Sequence, residues 1–166
     1  MPLTLFGRND VLHSKKPLKA KSPLKAKTTI KKKPRTPLAI AKEKAWASFS
    51  LYIRTRDCLA TTGGRDTGIC CSCPSEVPFR RYQAGHFIPG RTNSVLFSER
   101  GVNGQCDGCN LFKHGNTIGY WPFMERKYGR EVIDELLAES KVAKKYTVKD
   151  YLDIEQLYKD KLTQLG

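Results

Sequence analysis

Four of the six cysteines in this sequence form two pairs with identical spacing. The pairs are Cys70 with Cys73 and Cys106 with Cys109. A two-residue gap lets both sulfurs of a turn face one ion, so two such pairs predict a tetrahedral four-thiolate zinc site. A redox dithiol needs only one pair, and unrelated free thiols are the remaining alternative. Neither of the other two cysteines is expected to be a ligand: Cys58 and Cys71.

Side chains between and after the pairs could hydrolyse a phosphodiester. His86 could take a proton from water. Asn110 and His114 are four residues apart, so one helix face would bring both to a single divalent ion. Such an ion would polarise the phosphate and stabilise the leaving 3′ oxygen. Three cations could neutralise the phosphate charge: Arg91, Arg100 and Lys113.

Two strands and a helix must position these groups. The strands are expected within the 32 residues between the cysteine pairs, and the helix just after them. Aromatic and polar residues alternate near residues 79–87, which predicts a strand that Pro89-Gly90 ends. Residues 95–97 are the expected return strand, and a helix is expected near residues 109–114. The predicted order is therefore strand, loop, strand, helix, with His86 at the end of the first strand.

Helices are expected on both sides of this unit. Thr36 resembles an N-cap before Pro37, and the apolar spacing that follows predicts a helix over residues 38–57. Arg54 and Arg56 fall at its C-terminal end, where cations suit the helix dipole and could also contact DNA.

Further helices are predicted after residue 116. Gly129 is a candidate C-cap for the first, residues 131–140 form the second, and Thr147 with Asp150 predicts the start of a last helix. The predicted fold class is therefore α+β.

The net charge of +14 is concentrated near the N-terminus. Residues 1–45 contain 13 Lys and Arg against two acidic residues, for a net charge of +11, and the other 121 residues carry only +3. A Pro-Leu-Lys-Ala-Lys motif occurs twice in residues 17–27, where proline blocks a helix and little apolar surface is available. We therefore predict a disordered Lys/Pro-rich basic arm over residues 1–36 and a folded domain over residues 37–166.

This charge favours a polyanion partner, and nucleic acid more than a membrane. No apolar run approaches the roughly 20 residues that a membrane span needs. Residues 1–10 also lack the apolar stretch of a secretory signal. A cytoplasmic, reducing location is therefore expected, in which the cysteines are ligands or free thiols rather than disulfides.

Taken in order, these motifs resemble those of the HNH, or His-Me finger, nucleases, many of which brace a ββα-metal unit with two Cys-x-x-Cys pairs. The closer resemblance is to the phage recombination endonuclease family called NinG or Rap, and it covers roughly residues 45–160. Six stretches carry it: residues 50–57, 70–73, 83–87, 96–100, 105–110 and 115–116.

The resemblance implies a small ββα-metal core braced by structural Zn²⁺ on the four paired cysteines. It also implies a metal-dependent endonuclease, using Mg²⁺ or Mn²⁺, that acts in the host cytoplasm on branched DNA such as Holliday junctions. His86 becomes the general base and Asn110 a ligand of the catalytic ion, and His114 fits the wider metal-ligand pattern.

Two positions depart from the HNH pattern. An acidic residue or His usually precedes the base, where this chain has Gly85. An orienting Asn usually lies five residues before the second cysteine pair, where this chain has Gly101. Asn103 is the nearest candidate for that Asn, and Asn116 either completes the catalytic-metal shell or caps the local turn.

The sequence leaves three function classes open. The first is the endonuclease, for which symmetric cutting of a junction would favour a homodimer. The second is a non-catalytic zinc-stapled DNA-binding module, which would need no proton acceptor beside a metal site. The third and weakest is an RNA-binding zinc protein.

Overall fold

Three long helices surround two short β-hairpins in the computed structural model, which describes residues 34–89 and 93–166. The first 33 residues of the predicted arm therefore lie outside the described residues. Arg91 lies outside them too. The helices and strands are α1 (Pro37–Thr62), β1 (Thr67–Ile69), β2 (Glu76–Pro78), β3 (Tyr82–His86), β4 (Val102–Cys106), α2 (Thr117–Ser140) and α3 (Val148–Gln164). This mixture of helix and sheet confirms the predicted α+β class.

Helix α1 begins where its sequence predicts but ends five residues later. The Thr36 hydroxyl accepts a hydrogen bond from the Ala39 backbone N–H at 3.2 Å, and Pro37 occupies the first turn. The predicted end at residue 57 is wrong because Thr61 and Thr62 continue the helix. Their hydroxyls donate back to backbone carbonyls in its last turn. Gly63 then ends the helix with a left-handed φ of 74°.

The central hairpin pairs β3 with β4 in antiparallel register, so that His86 lies opposite Val102 and Gly85 opposite Asn103. The predicted return strand at residues 95–97 is wrong. That segment is a buried connection whose Val95 and Leu96 side chains pack inside the protein. Strand β4 was hard to foresee because two of its buried side chains are polar: Asn103 and Gln105.

Each face of the central hairpin packs against helices. Ala84 and Val102 belong to one apolar cluster with Phe49 of α1 and Tyr158 of α3. On the other face, the Tyr120 hydroxyl of α2 donates to the Gly85 carbonyl at 3.0 Å. The hairpin therefore lies between the α1–α3 pair and α2, with its ends near the loops that carry the cysteines.

The C-terminal helices follow their predicted boundaries closely. Gly129 interrupts α2 with φ 81° and ψ 167°, which confirms the predicted break at that residue. Helix α3 begins with a capping box in which Thr147 accepts from the Asp150 N–H and Asp150 accepts from the Thr147 N–H. No helix in the described part of the chain is long and apolar enough to cross a membrane.

Candidate metal centre and active site

The four paired cysteines converge on one point. The first pair lies in the turn between β1 and β2, and the second lies at the end of β4 and the start of a π turn over Gly108–Phe112. All four Sγ atoms lie within 4.8 Å of one another, and those of Cys73 and Cys106 are 3.7 Å apart. Tetrahedral Zn–S bonds of about 2.3 Å require sulfurs roughly 3.8 Å apart. The cluster therefore fits a zinc ion, which Cys70, Cys73, Cys106 and Cys109 would hold.

Hydrogen bonds around the sulfurs suit metal thiolates. The Cys109 backbone N–H and the Asn116 side-chain amide each donate to a cluster sulfur at 3.3 Å. Burial raises the pKa of Cys70. At Cys73 burial also raises the pKa, but hydrogen bonds with Ser75 and neighbouring cysteines lower it by more. The net pKa of Cys73 is about 6. Hydrogen bonding of this kind favours the charged sulfur that binds zinc.

The remaining two cysteines lie outside the cluster, as predicted. Cys71 packs into the apolar core against α2, and burial raises its pKa to about 12. Cys58 is buried on α1, and burial raises its pKa to about 11. Both side chains therefore behave as buried neutral thiols.

A cleft of about 170 Å³ opens beside the hairpin and the π turn. Three predicted active-site residues line it together: His86, Asn110 and His114. They come from the end of β3, from the π turn and from the loop that follows it. The fold therefore brings to one cavity side chains that are up to 28 residues apart in sequence.

Two contacts orient the imidazole of His86. Its Nε2 lies 3.1 Å from the carbonyl oxygen of Leu96. Because a carbonyl only accepts, Nε2 donates in this contact, which in a neutral imidazole leaves Nδ1 as the acceptor nitrogen. The ring also stacks on Trp46 of α1, with centroids 5.0 Å apart and an interplanar angle of 17°. These two contacts fix the orientation of the imidazole ring.

The segment after Cys109 differs from its prediction. The expected helix over residues 109–114 is a single π turn ending at Phe112, and His114 lies beyond it with a left-handed φ of 48°. Asn110 and His114 therefore do not share a helix face; the backbone reversal brings His114 to the cleft instead. The Asn110 side-chain amide donates to Gln83 Oε1 at 2.6 Å, which fixes the orientation of its own oxygen.

Two asparagines predicted for the active site have other partners. Asn103 is fully buried opposite Gly85, hence on the sheet face away from His86. It donates to the Arg100 carbonyl, and its amide oxygen faces Lys127 and the Tyr128 hydroxyl of α2. The hairpin therefore separates Asn103 from the imidazole that it is predicted to orient.

Asn116 supports the cysteine cluster. Its side-chain amide donates to Cys109 Sγ and, at 3.4 Å, to the Ser72 carbonyl. Its left-handed backbone, with φ 42°, also forms the N-cap of α2. Of the two alternatives, the structure therefore favours the cap over a ligand of a catalytic ion.

Arg54 and Arg56, which lie inside α1 because the helix continues to Thr62, bind the protein itself. Arg56 pairs with Asp57 at 2.8 Å and donates to the Glu99 and Val102 carbonyls. Arg54 donates to the Tyr82 carbonyl and lies over the Phe79 ring at 4.3 Å. Both guanidinium groups therefore have partners within the protein and join α1 to the hairpin, and their DNA contacts stay predictions.

Of the other predicted DNA contacts, two are described and both are exposed. Lys113 ends the π turn directly beside the cleft. Arg100 pairs on the surface with Glu135 of α2 at 2.8 Å. Of these two cations, Lys113 is the one next in sequence to a residue that lines the cleft, His114.

A buried glutamine, which the sequence analysis did not assign a role, explains the glycine before His86. The Gln105 side-chain amide donates to Ser72 Oγ at 2.6 Å and to the Gly115 carbonyl at 2.7 Å. A Cβ added at Gly85 would lie only 1.9 Å from Gln105 Oε1. Gln105 thus joins the first cysteine turn to the loop bearing His114 and occupies the space that a side chain at position 85 needs.

Comparisons with known proteins identify relatives of this chain. Over 124 residues the chain is 28% identical to the protein ninG of Escherichia phage 933W, and 27% identical to those of Escherichia phage lambda and Salmonella phage P22. Each alignment covers 74% of this chain and 56–57% of the relative, so the chain spans just over half the length of these curated relatives. No solved structure matches the chain significantly. The model of the family described as bacteriophage lambda NinG protein matches residues 9–166, and the chain therefore belongs to the NinG family.

Proposed function

We propose that this chain is a metal-dependent endonuclease of phage recombination that hydrolyses phosphodiester bonds in branched DNA such as Holliday junctions. One observation carries the proposal: His86, Asn110 and His114 line one small cleft next to a four-thiolate cluster. A protein that only binds DNA has no need of an oriented proton acceptor beside two groups able to ligate a metal.

The geometry supports a separate chemical role for each side chain of the cleft. His86 Nδ1 takes the proton of the attacking water, while Leu96 and Trp46 hold the ring. The oxygen of Asn110 and the imidazole of His114 would hold Mg²⁺ or Mn²⁺. When bound there, the ion supplies charge that polarises the scissile phosphate and stabilises the leaving 3′ oxygen. Lys113, next in sequence to His114, provides further positive charge for the phosphate.

The local fold supports a His-Me finger core of the HNH kind. Two antiparallel strands, β3 and β4, lead directly into a helical turn, and the candidate base ends the first strand. In this proposal the four thiolates hold Zn²⁺ as a structural ion that fixes the hairpin to the turn. Two symmetric cuts in a junction require two such sites, so the proposal includes a homodimer on DNA.

Cleavage assays test the proposal directly. Full-length protein is incubated with a synthetic four-way junction, a linear duplex and a single strand, in Mg²⁺, Mn²⁺ or EDTA. We expect metal-dependent cutting of the junction, and we expect His86→Ala to abolish cutting while retaining binding. His13→Ala, a histidine change in the predicted arm, is the matched control and should cut normally. If the wild-type protein cuts none of these substrates with either metal, the proposal fails.

One observation favours a second candidate, a non-catalytic zinc-stapled DNA-binding module. Gln105 occupies the space beside Gly85, so the acidic or His side chain that precedes the base in the HNH pattern has no equivalent at that position. A module of this kind would bind junctions with equal affinity with and without added Mg²⁺ or Mn²⁺ and would leave every strand intact. The same assays therefore separate the two candidates.

A further inference from the structure

The π turn beside the cleft exposes two consecutive apolar side chains. Leu111 is 55% exposed and Phe112 is 79% exposed, and Lys113 follows them, also exposed. We name these three residues the cleft rim. Exposed apolar surface that is contiguous with a ligand-sized cleft is typical of binding sites. The rim is therefore a candidate contact surface.

The cleft rim is held in place by the fold. Cys109, in the same turn, is buried in the thiolate cluster. The Lys113 N–H donates to the Gly108 carbonyl at 3.0 Å, and the Gly115 N–H donates to the Cys109 carbonyl at 2.9 Å. These bonds fix both ends of the turn, so the exposure of Phe112 is set by the backbone. Single π turns of this type occur frequently at functional sites.

The position of the rim indicates what it contacts. Leu111 lines the same cleft as His86 and Asn110, so a strand whose phosphate entered the cleft would pass over the rim. The ligand must then offer a flat apolar surface next to a negative charge, because Phe112 and Lys113 are adjacent. A nucleotide with an unstacked base has both properties, and base–aromatic stacking does not depend on base identity.

We propose that Phe112 stacks on an unpaired or unstacked base at the branch point of DNA while Lys113 binds the neighbouring phosphate. This inference rests on the proposed nuclease function and adds the source of its substrate preference. In a linear duplex the faces of the bases are covered by their neighbours, so Phe112 has nothing to stack on. At a branch point, a base can leave its stack at little cost.

The experiment uses full-length protein carrying His86→Ala, which prevents cutting, and a four-way junction with 2-aminopurine at the branch point. We expect binding to raise the 2-aminopurine fluorescence as the base leaves its stack. Adding Phe112→Ala should remove this rise and weaken junction binding about tenfold, with less than about a twofold change for a linear duplex of the same sequence. Leu152→Ala is the matched control, because Leu152 is an apolar side chain on α3 that is 49% exposed.

Several outcomes would overturn the inference. One is wild-type junction affinity and fluorescence in the Phe112→Ala protein, and another is an equal loss of affinity for junction and duplex. A third is a concentration-dependent dimer without DNA that Phe112→Ala disrupts, since a second copy of the chain would then cover the rim. Cutting of junctions by a Phe112→Ala protein with unchanged affinity would refute this inference alone. A Phe112-dependent junction preference without any cutting would refute the nuclease function alone.

Discussion

Gly85 and Gln105 should show strong energetic coupling. A Cβ at position 85 would lie 1.9 Å from Gln105 Oε1 and 2.6 Å from its Cδ. To make room, Gln105 must move and lose its hydrogen bonds to Ser72 and Gly115. At about 1 kcal/mol for each buried bond, with some strain in addition, Gly85→Ala should lower the free energy of unfolding by about 2–3 kcal/mol.

The cost of Gly85→Ala should nearly disappear when Gln105→Ala is already present, because the obstructing side chain is gone. We expect Gly85→Ala to cost less than about 0.5 kcal/mol in that background, which gives a coupling energy of about 2 kcal/mol. Urea unfolding of zinc-saturated protein, followed by circular dichroism, measures all four corners of this cycle. Gly64→Ala is the matched control, since nothing lies within 4 Å of a Cβ there. Equal costs of Gly85→Ala in both backgrounds would refute the steric reasoning.

Three further predictions concern the metal, the pH dependence and the arm. Chelation of zinc, or Cys106→Ser, should unfold the hairpin and its turn, because metal binding supplies folding free energy; a zinc-free protein with unchanged circular dichroism would contradict this. Burial raises the pKa of Glu99, but the hydrogen bonds from Lys161 and two tyrosines lower it by more. The net pKa of Glu99 is therefore below the usual value of 4.5. The ionised Glu99 therefore stabilises the fold above pH 4.5, and this stabilisation is lost as the pH falls through the lowered pKa. Glu99→Gln should reduce the free energy of unfolding by about 1 kcal/mol at neutral pH. It should also make that free energy depend less on pH on the acid side. If Glu99→Gln and wild type lost stability identically as the pH falls, Glu99 would not contribute to the acid sensitivity of the fold. Deletion of residues 1–35 should weaken DNA binding and reduce its dependence on salt, with cutting at saturating protein unchanged; an unaltered salt slope would exclude the arm from binding.

Local chemistry in the sequence was enough to predict several elements. Thr36 and Thr147 mark helix starts because their hydroxyls accept nearby backbone N–H bonds, and the structure contains both caps. Gly129 breaks α2 because its backbone adopts a conformation that favours glycine. The cysteine spacing predicted the thiolate cluster because two short turns can present four sulfurs to one ion.

Other features depend on contacts between distant residues and could not be inferred locally. Strand β4 carries Asn103 and Gln105, whose polarity suggests a loop until their buried partners are known. The inward position of Arg56 could not be inferred because the two backbone carbonyls that accept from it lie more than 40 residues further along the chain. His114 reaches the cleft through a left-handed backbone rather than through helical periodicity, and non-glycine residues give little sequence signal for such a conformation.

The packing of α1 on α3 has a consequence for how the chain folds during synthesis. Phe49 and Tyr158 are 109 residues apart in sequence, yet their rings meet edge to face with centroids 4.7 Å apart. Contacts of such long sequence separation slow folding, because loop closure must precede the gain from packing. The thiolate turns need only residues 70–109 and can form while the ribosome is still adding α2 and α3. The part of α1 that packs on α3 must wait for Tyr158, so it stays exposed to aggregation until the end of synthesis.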